Sequence, residues 1–300
     1  MANLKEIRGR IASVKNTRKI TSAMSRIAAA RLVKAQQAAL GARPYGERLE
    51  EVVRALVAGA AECEVLHPLM APRSGNGRVG LVLMTADRGL AGGFNANANR
   101  AGLGFIRRER AEGREVVVIA VGKKGRSFLG SNRTPIERFH EAPTLATLVQ
   151  RSKEVAAEVM ALFEPAAEGR TGLPPCDAVY LTYNYFKSVL TQEPRTVQML
   201  PVKPPEASAS GDQPVAPLFE PDRSSLLGHL LPIALEAQLQ QAMFNSIAGE
   251  IAARRTAMDS ATDNASQLIQ ELTRHYNRER QAAITKELME IIGGAEALKG

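Results

Sequence analysis

The sequence predicts an α/β domain inserted between two long terminal helices that pair as an antiparallel coiled coil. Near both ends of the chain, apolar residues recur at alternating steps of three and four, which is the spacing of a helix seam. The middle instead carries continuous β-branched runs, which are typical of buried strands. We predict terminal helices over 1–60 and 225–300, a Rossmann-like α/β domain over 77–203, and a loop over 204–224.

The N-terminal helix begins with the pattern of a coiled coil. Its predicted seam residues are Leu4, Ile7, Ile11 and Val14. The same spacing places Arg18 on the seam, after which the apolar stripe shifts to Ile20, Met24 and Ile27. Alanines follow, and their small side chains favour a close approach of helices. We expect a kink at Pro44, because proline removes a backbone donor from the helix.

The α/β domain is predicted from four apolar runs and two helical patterns. Strands are expected in "RVGLVLMTAD" (78–87), "EVVVIAVGKK" (115–124), "DAVYLTYNYF" (177–186) and "RTVQMLPV" (195–202). Helices are expected near Asn95–Glu112 and from about Thr144 to Ala167. The last two strands are separated by so few residues that we predict an antiparallel pair.

The C-terminal helix is too long to fold back inside a single domain. No proline follows Pro232, and about 60 helical residues would span ~90 Å. A compact globule of this length has a radius of gyration of only ~19 Å. Leu268 and Leu272 continue a seam on this helix, and the N-terminal helix is the obvious partner.

The net charge of +8 is concentrated at the N-terminus. Residues 1–46 hold ten Lys and Arg against one acid, Glu6. Residues 47–232 hold 22 basic and 21 acidic side chains, and residues 233–300 hold seven and nine. The first helix therefore carries the excess, which predicts an acidic partner: nucleic acid, an anionic membrane or an acidic protein surface.

Catalytic chemistry is not indicated by any motif. "TADRGLAGGFN" (Thr85–Asn95) matches neither the dinucleotide fingerprint nor the Walker loop, so we interpret it as a tight turn. "VGKKGRS" (121–127) is interpreted as a solvated turn in preference to an anion site. The two cysteines and four histidines lack the spacing of metal ligands. We expect no catalytic residue, cofactor or metal, and no apolar run reaches the length needed to cross a membrane.

Three segments resemble the gamma subunit of the F-type ATP synthase. They are "KEIRGRIASVKNTRKITSAM" (5–24), "TADRGLAGGFN" (85–95) and "RRTAMDSATDNASQLIQEL…YNRERQAAITKELMEIIGGA" (254–295). The last contains the specific pattern I-T-x-E-x-x-E-x-x-x-G-A (Ile284–Ala295). The resemblance implies a non-catalytic rotor shaft that couples ion flow to ATP synthesis or hydrolysis and regulates the ATPase. It also implies a peripheral location at the cytoplasmic face of the bacterial inner membrane.

The resemblance further implies partners and contact residues. The expected partners are the alpha and beta subunits of the catalytic head, the epsilon subunit and the membrane c-ring, without nucleic acid. Arg280 and Gln281 match positions that contact a catch loop of a beta subunit. The residues that match positions facing an acidic beta-subunit loop are Arg8, Lys15, Lys19, Met24 and Arg26. Ser25–Ile27 departs from the family, which commonly has an acid and apolar residues there.

Two other functions remain as alternatives on the residues alone. The basic first helix is compatible with a nucleic-acid-binding coiled-coil protein, which would bind DNA with a steep dependence on salt. The middle region is compatible with a nucleotide-using α/β enzyme, which would show saturable nucleotide binding.

Overall fold

The computed structural model describes residues 2–58, 67–73, 77–163, 175–202 and 223–297. Within these ranges the helices are α1 (Ala2–Ala58), α2 (Phe94–Ala111), α3 (Lys123–Ser131), α4 (Leu148–Phe163) and α5 (Arg223–Ala297). The strands are β1 (Arg78–Met84), β2 (Glu115–Val121), β3 (Arg138–His140), β4 (Ala178–Phe186) and β5 (Gln192–Leu200). A short 3₁₀ turn occupies Pro68–Met70.

The chain forms two compact units. The coiled-coil unit consists of residues 1–29 with 254–300, and the α/β unit consists of residues 30–253. Both α1 and α5 contribute residues to each unit. The fold class predicted from the sequence is therefore confirmed, with an α/β layer domain between two long terminal helices.

The α/β unit is built on a five-stranded sheet with the order β3-β2-β1-β4-β5. β1 pairs in parallel with both β2 and β4, and β3 pairs in parallel with β2. β5 pairs antiparallel with β4, as the short separation of these two runs predicts. Because the central strands β1 and β2 are covered on both faces, their sequences are almost continuously apolar and do not alternate.

Helices cover the two faces of this sheet. α2 and α3 follow right-handed crossovers between neighbouring parallel strands, so they lie on the same face, where Leu81 and Phe105 are buried together. The chain then returns across β1 to β4, which places α4 on the opposite face. Val82 and Val159 are buried there together with Leu239 of α5. Successive residues of β1 therefore contact the two layers alternately, because the side chains of a strand point in turn to opposite faces of the sheet.

Several predicted boundaries differ from the structure. The stretch "VGKKGRS" is not a solvated turn, because its last residues form the first turns of α3. α3 and β3 were not predicted from the sequence. α3 is short and polar, and β3 has only three residues. Pro44 does not end α1, because the helix continues past it to Ala58, as the helical pattern after this proline predicts. α4 begins at Leu148, after a turn in which the Thr144 and Thr147 side chains bond each other. The expected helix end at Ala167 and most of the loop over 204–224 lie outside the described residues.

The coiled-coil unit is held by antiparallel helices whose seam is small and partly polar. Thr21 Oγ1 lies 2.7 Å from Thr262 Oγ1, and Ser25 Oγ donates to Asp259 Oδ1 at 2.5 Å. As the residue number rises along α1 it falls along α5, which defines the antiparallel direction. Around these contacts the buried side chains are Ile7, Ala28, Met258 and Ala265.

The predicted shift of the apolar stripe on α1 is wrong. Ile20 is 60% exposed and Ile27 is 54% exposed, whereas Thr21 and Ser25 are buried. The steps of three and four continue along the original seam, because small residues there permit a close approach and their hydroxyls find partners across it. Arg18 falls on this seam by spacing, yet its side chain is exposed. A long side chain can reach water from the edge of a helix contact.

We expect Ser25→Ala to loosen the coiled-coil unit by about 1 kcal/mol, since it leaves Asp259 without its bond to a buried hydroxyl. Ser13→Ala is the matched control, because Ser13 is exposed on the same helix and alanine slightly favours helix. Amide hydrogen exchange of the full chain measures the change as faster exchange around residue 25. Equal exchange in the two variants would show that the Ser25 bond contributes nothing.

Candidate functional site

The α1 residues that the family resemblance assigns to a beta-subunit contact lie on the surface of the coiled-coil unit. Arg8, Lys15, Lys19 and Arg26 are exposed, and Met24 is half-buried. Among the described residues, none of these four cations lies within ion-pair distance of a carboxylate. This surface of α1 therefore presents positive charge that the described part of the chain does not neutralise.

In the part of the chain that the structure describes, four acids of the coiled-coil unit have a partner on their own helix. Glu6 pairs with Arg10 at 2.9 Å. Along α5 the ion pairs are Arg255–Asp259 at 3.8 Å and Lys286–Glu290 at 3.7 Å, and His275 lies 4.0 Å from Glu279, a contact that becomes an ion pair only when the histidine is protonated. All are exposed pairs one helical turn apart, and such pairs typically contribute only ~0.2–1 kcal/mol. Over residues 254–300 the basic and acidic side chains balance at seven each, so this part of α5 has no net charge, in contrast to the basic α1.

The predicted catch residues lie on α5, where it is widely exposed. Arg280 and Gln281 are both exposed, and neither contributes to the buried seam. Large apolar side chains in the following turns are also exposed, from 49% to 68%: Ile284, Leu288, Met289, Ile291 and Ile292. A cluster of exposed aliphatic side chains of this size marks an interaction surface. The end of α5 thus combines a polar pair with an apolar surface.

The structure places the six predicted seam residues differently. Ile7 is buried. The half-buried positions are Leu4, Ile11, Val14 and Leu272. Leu268 is 42% exposed, while Ala265, one turn earlier, is buried. The α5 side of the contact therefore buries Ala265 and Met258 in preference to the predicted Leu268.

The segment "TADRGLAGGFN" binds the start of α3 in the α/β unit. Its three bonds are Lys123 N–H to Asp87 Oδ1 (2.8 Å), Lys124 N–H to Ala86 O (3.1 Å) and Gly125 N–H to Thr85 Oγ1 (2.8 Å). The next amide, Arg126 N–H, donates to Gly122 O at 3.2 Å. A helix N-terminus binds phosphate through its first N–H groups. Here those groups already have partners, so α3 does not offer an anion site.

The usual ligand crevice of this kind of sheet is filled by the protein itself. In open α/β sheets, ligands bind outside the carboxyl ends of the strands where the strand order reverses, which here lies between β1 and β4. Phe94 is buried there with Ala86, Ala91 and Ala253 of α5. A Cβ on Gly249 would lie 3.1 Å from the Phe94 ring. Helix α5 therefore occupies the place of a nucleotide.

Polar groups complete this contact. Asn184 Nδ2 donates to Phe94 O at 2.9 Å, and Phe186 N–H donates to Asn245 Oδ1 of α5 at 3.3 Å. Asn95 Oδ1 accepts from Ala86 N–H at 2.9 Å and closes the loop before α2. Sequence reasoning placed the motif correctly at a turn but missed these roles, because the partners lie far away along the chain.

Side chains with catalytic potential are engaged in structural contacts. His140 Nε2 lies 2.8 Å from Glu158 Oε2, and Arg151 Nη1 lies 3.0 Å from His140 Nδ1. Burial raises the pKa of the Cys176 thiol to about 12, so it is not an activated nucleophile. In the described ranges, no group of three or more His, Cys, Asp or Glu residues is placed to hold a metal. No described helix is apolar over a length that could cross a bilayer.

Comparison with known proteins gives a consistent result along the whole chain. A family model described as ATP synthase matches residues 3–298. The ATP synthase gamma chain of Trichlorobacter lovleyi is 43% identical over 300 residues, and that of Geobacter sp. strain M21 is 45% identical over 303. In both cases 100% of this chain and 100% of the relative are covered.

Solved structures share the fold at lower identity. A chain of the Euglena gracilis mitochondrial ATP synthase OSCP/F1/c-ring assembly matches with a TM-score of 0.65 and 18% identity, over 99% of this chain and 95% of that one. A chain of the Tetrahymena thermophila mitochondrial ATP synthase central stalk and c-ring matches with a TM-score of 0.54 and 20% identity, over 81% and 99%.

We expect Gly122→Ala to destabilise the α/β unit by about 2 kcal/mol or more. Gly122 has φ of 102°, and an added Cβ would lie 2.3 Å from Thr85 O, against the segment that caps α3. Gly104→Ala is the matched control, since nothing lies within 4 Å of its Cβ position on α2, and it should stabilise by ~0.5–1 kcal/mol. Urea unfolding followed by circular dichroism gives the midpoints. A midpoint for Gly122→Ala equal to that of the unchanged chain would contradict the close approach.

Proposed function

Because the chain belongs to the gamma-chain family of ATP synthase, we propose that it is the central rotor subunit of an F-type ATP synthase and has no catalytic site of its own. The observation that carries the proposal is 43–45% identity to gamma chains with complete coverage of both sequences. Its partners are the alpha and beta subunits of the head, the epsilon subunit and the c-ring. Its location is the cytoplasmic face of the bacterial inner membrane.

The coiled-coil unit supports a shaft role. A shaft inside a ring must be long, must hold together through its own seam, and must present its remaining surface to the ring. Thr21 and Ser25 form such a seam with α5, while Ile20 and Ile27 are exposed. In this proposal the shaft helices extend over 1–60 and 225–300, with the α/β domain over 77–203.

The same role accounts for the basic first helix without nucleic acid. α1 has exposed cations without an ion pair among the described residues, whereas residues 254–300 carry seven basic and seven acidic side chains and so have no net charge. The shaft is therefore electrostatically asymmetric, so an acidic loop of a ring subunit meets attraction at one rotation angle and a nearly neutral surface at another. A ligand or partner shifts an equilibrium only by its differential affinity for the two states. Rotation of an asymmetric shaft supplies such a difference to each catalytic site in turn.

The crevice filled by α5 supports the same conclusion for the α/β unit. Phe94, Gly249 and Ala253 occupy the position where a nucleotide would bind. Catalysis would then belong to other subunits, and this chain would act through contacts. Arg280 and Gln281 are available for a catch contact, because both side chains are exposed.

We expect Arg280→Ala with Gln281→Ala to weaken torque transmission while leaving assembly intact. Both side chains are exposed, so their loss should spare the seam but should remove hydrogen bonds to a beta subunit, at a cost of roughly 1–3 kcal/mol. The measurement is ATP hydrolysis and ATP-driven proton uptake by the assembled complex in vesicles. Thr273→Ala with Arg274→Ala is the matched control, being exposed and seven residues earlier, near the same side of α5. Equal activity of the two double variants would contradict the catch role.

We expect charge reversal on α1 to uncouple the complex. In Lys15→Glu, Arg18→Glu, Lys19→Glu, attraction to an acidic loop becomes repulsion, and all three side chains are exposed, so the seam should survive. Single exposed pairs contribute ~0.2–1 kcal/mol, so Lys15→Gln alone should be nearly silent. The triple variant should lower proton uptake more than hydrolysis. An unchanged ratio of proton uptake to ATP hydrolysis would contradict a coupling role for the basic surface of α1.

A further inference from the structure

A second positively charged surface lies on the α/β unit, hidden by the balanced charge of the central region. Residues 47–232 hold 22 basic and 21 acidic side chains, yet residues 94–131, from the start of α2 to the end of α3, hold eight basic and three acidic ones. α2 and α3 are neighbours on one face of the sheet. We call the outer surface of these two helices the α2–α3 face, and its exposed cations without an ion pair in the described ranges are Arg100, Arg107, Arg110, Lys124 and Arg126.

The acids of this region do not neutralise that face. Glu109 is buried and accepts from Arg108 and Arg114, at 3.3 and 2.7 Å. Glu112 is also bound by Arg114, and Glu115 pairs with Arg78 at 2.7 Å. The acids are thus engaged by other arginines. Among the described residues, none of the five cations of the α2–α3 face has a carboxylate within ion-pair distance.

The geometry of α2 directs these cations outward together. Arg100 and Arg107 are seven residues apart, so they project from nearly the same side of the helix. Phe105 and Ile106 are buried on the opposite side, against the sheet. Arg110 follows Arg107 by almost one turn. The charges are therefore spread over a layer of two adjacent helices, a shape suited to a broad anionic surface.

We propose that the α2–α3 face binds the anionic phospholipid headgroups of a membrane surface. Four of its five cations are arginines, and the planar guanidinium matches phosphate oxygens with two parallel hydrogen bonds. Each Lys or Arg brought close to an anionic leaflet strengthens binding by about fivefold. Binding of the isolated chain to anionic lipid does not require the proposed rotor role. Only the presence of a membrane close to this face in the cell rests on that role.

Single-stranded nucleic acid fits this face less well than lipid. Binding of single strands uses exposed aromatic side chains on which bases stack. Here Phe94 and Phe105 are buried, Phe128 is half-buried, and the guanidinium of Arg126 lies 4.6 Å from the centre of the Phe139 ring, which it covers. No aromatic side chain of α2 or α3 is therefore fully exposed for a base to stack on.

The test is flotation of the full chain with vesicles at low salt. The vesicles contain either phosphatidylcholine alone or phosphatidylcholine with about one third phosphatidylglycerol. The key variant is Arg100→Gln, Arg107→Gln, Arg110→Gln, which removes three charges from exposed helix positions. The expected loss of affinity for anionic vesicles is on the order of 100-fold. The Arg→Lys triple at the same positions should retain most of the binding, since it keeps the charge.

The matched control removes three cations from the other basic surface. Arg8→Gln, Lys15→Gln, Lys19→Gln has the same net charge as the key variant and should lose far less affinity for vesicles. Equal losses in the two triples would show that net charge alone attracts the chain and would overturn the proposal. Preference of the unchanged chain for duplex DNA over anionic vesicles would also overturn it. The rotor role is tested separately by Arg280 and Gln281, so either proposal can fail alone.

Discussion

The contact between Phe94 and α5 fills the crevice where a ligand would bind to the α/β unit, and it therefore determines which functions this unit can have. A sheet with this strand order leaves a crevice where its strand order reverses, and in many proteins that crevice receives a ligand. Here Gly249 has no side chain, and the Phe94 ring approaches to 3.1 Å from where a Cβ would be. The helix therefore enters the crevice that a cofactor would otherwise use. The same fold that elsewhere binds a nucleotide thus serves as a mount for a long helix, and the loop "TADRGLAGGFN" is needed for its side chains and tight turns, not for phosphate.

Small side chains also determine how closely the two helices of the coiled-coil unit approach each other. Large apolar residues in a seam hold two helices about 8–10 Å apart, whereas small residues allow a closer approach. At Thr21, Ser25 and Ala28 the seam of α1 is small, and its hydroxyls bond to Thr262 and Asp259. The isoleucines that look like the seam in the sequence, Ile20 and Ile27, are exposed instead. Apolar surface that the chain does not bury on itself remains available to partners, as expected of a shaft enclosed by other subunits.

The sequence predicts those features that depend on local pattern, and it fails where the partner is distant. β1 and β2 are recognisable because strands buried on both faces are continuously apolar, and α5 is recognisable because nothing interrupts it for many turns. α3 is not recognisable, since its first turn is polar and is stabilised by Thr85 and Asp87, which lie about 40 residues earlier. The predicted course of the seam on α1 is wrong for the same reason. Apolar spacing offers two stripes on α1, and only the hydroxyl partners on α5 select between them.

Both basic surfaces contain cations seven residues apart, and this distance limits the repulsion between those cations. Arg8 and Lys15 on α1 are seven residues apart, as are Arg100 and Arg107 on α2. Seven residues of helix span ~10 Å, which exceeds the Debye length of about 8 Å at physiological salt. These two pairs therefore repel one another only weakly, whereas Lys15 and Lys19, four residues apart, and Arg107 and Arg110, three apart, destabilise their helices by about 0.2–0.5 kcal/mol per pair. An acidic beta-subunit loop against α1, or anionic lipid against α2 and α3, would instead meet several cations at once and gain from each. The charge therefore costs the fold little beside what it contributes to association.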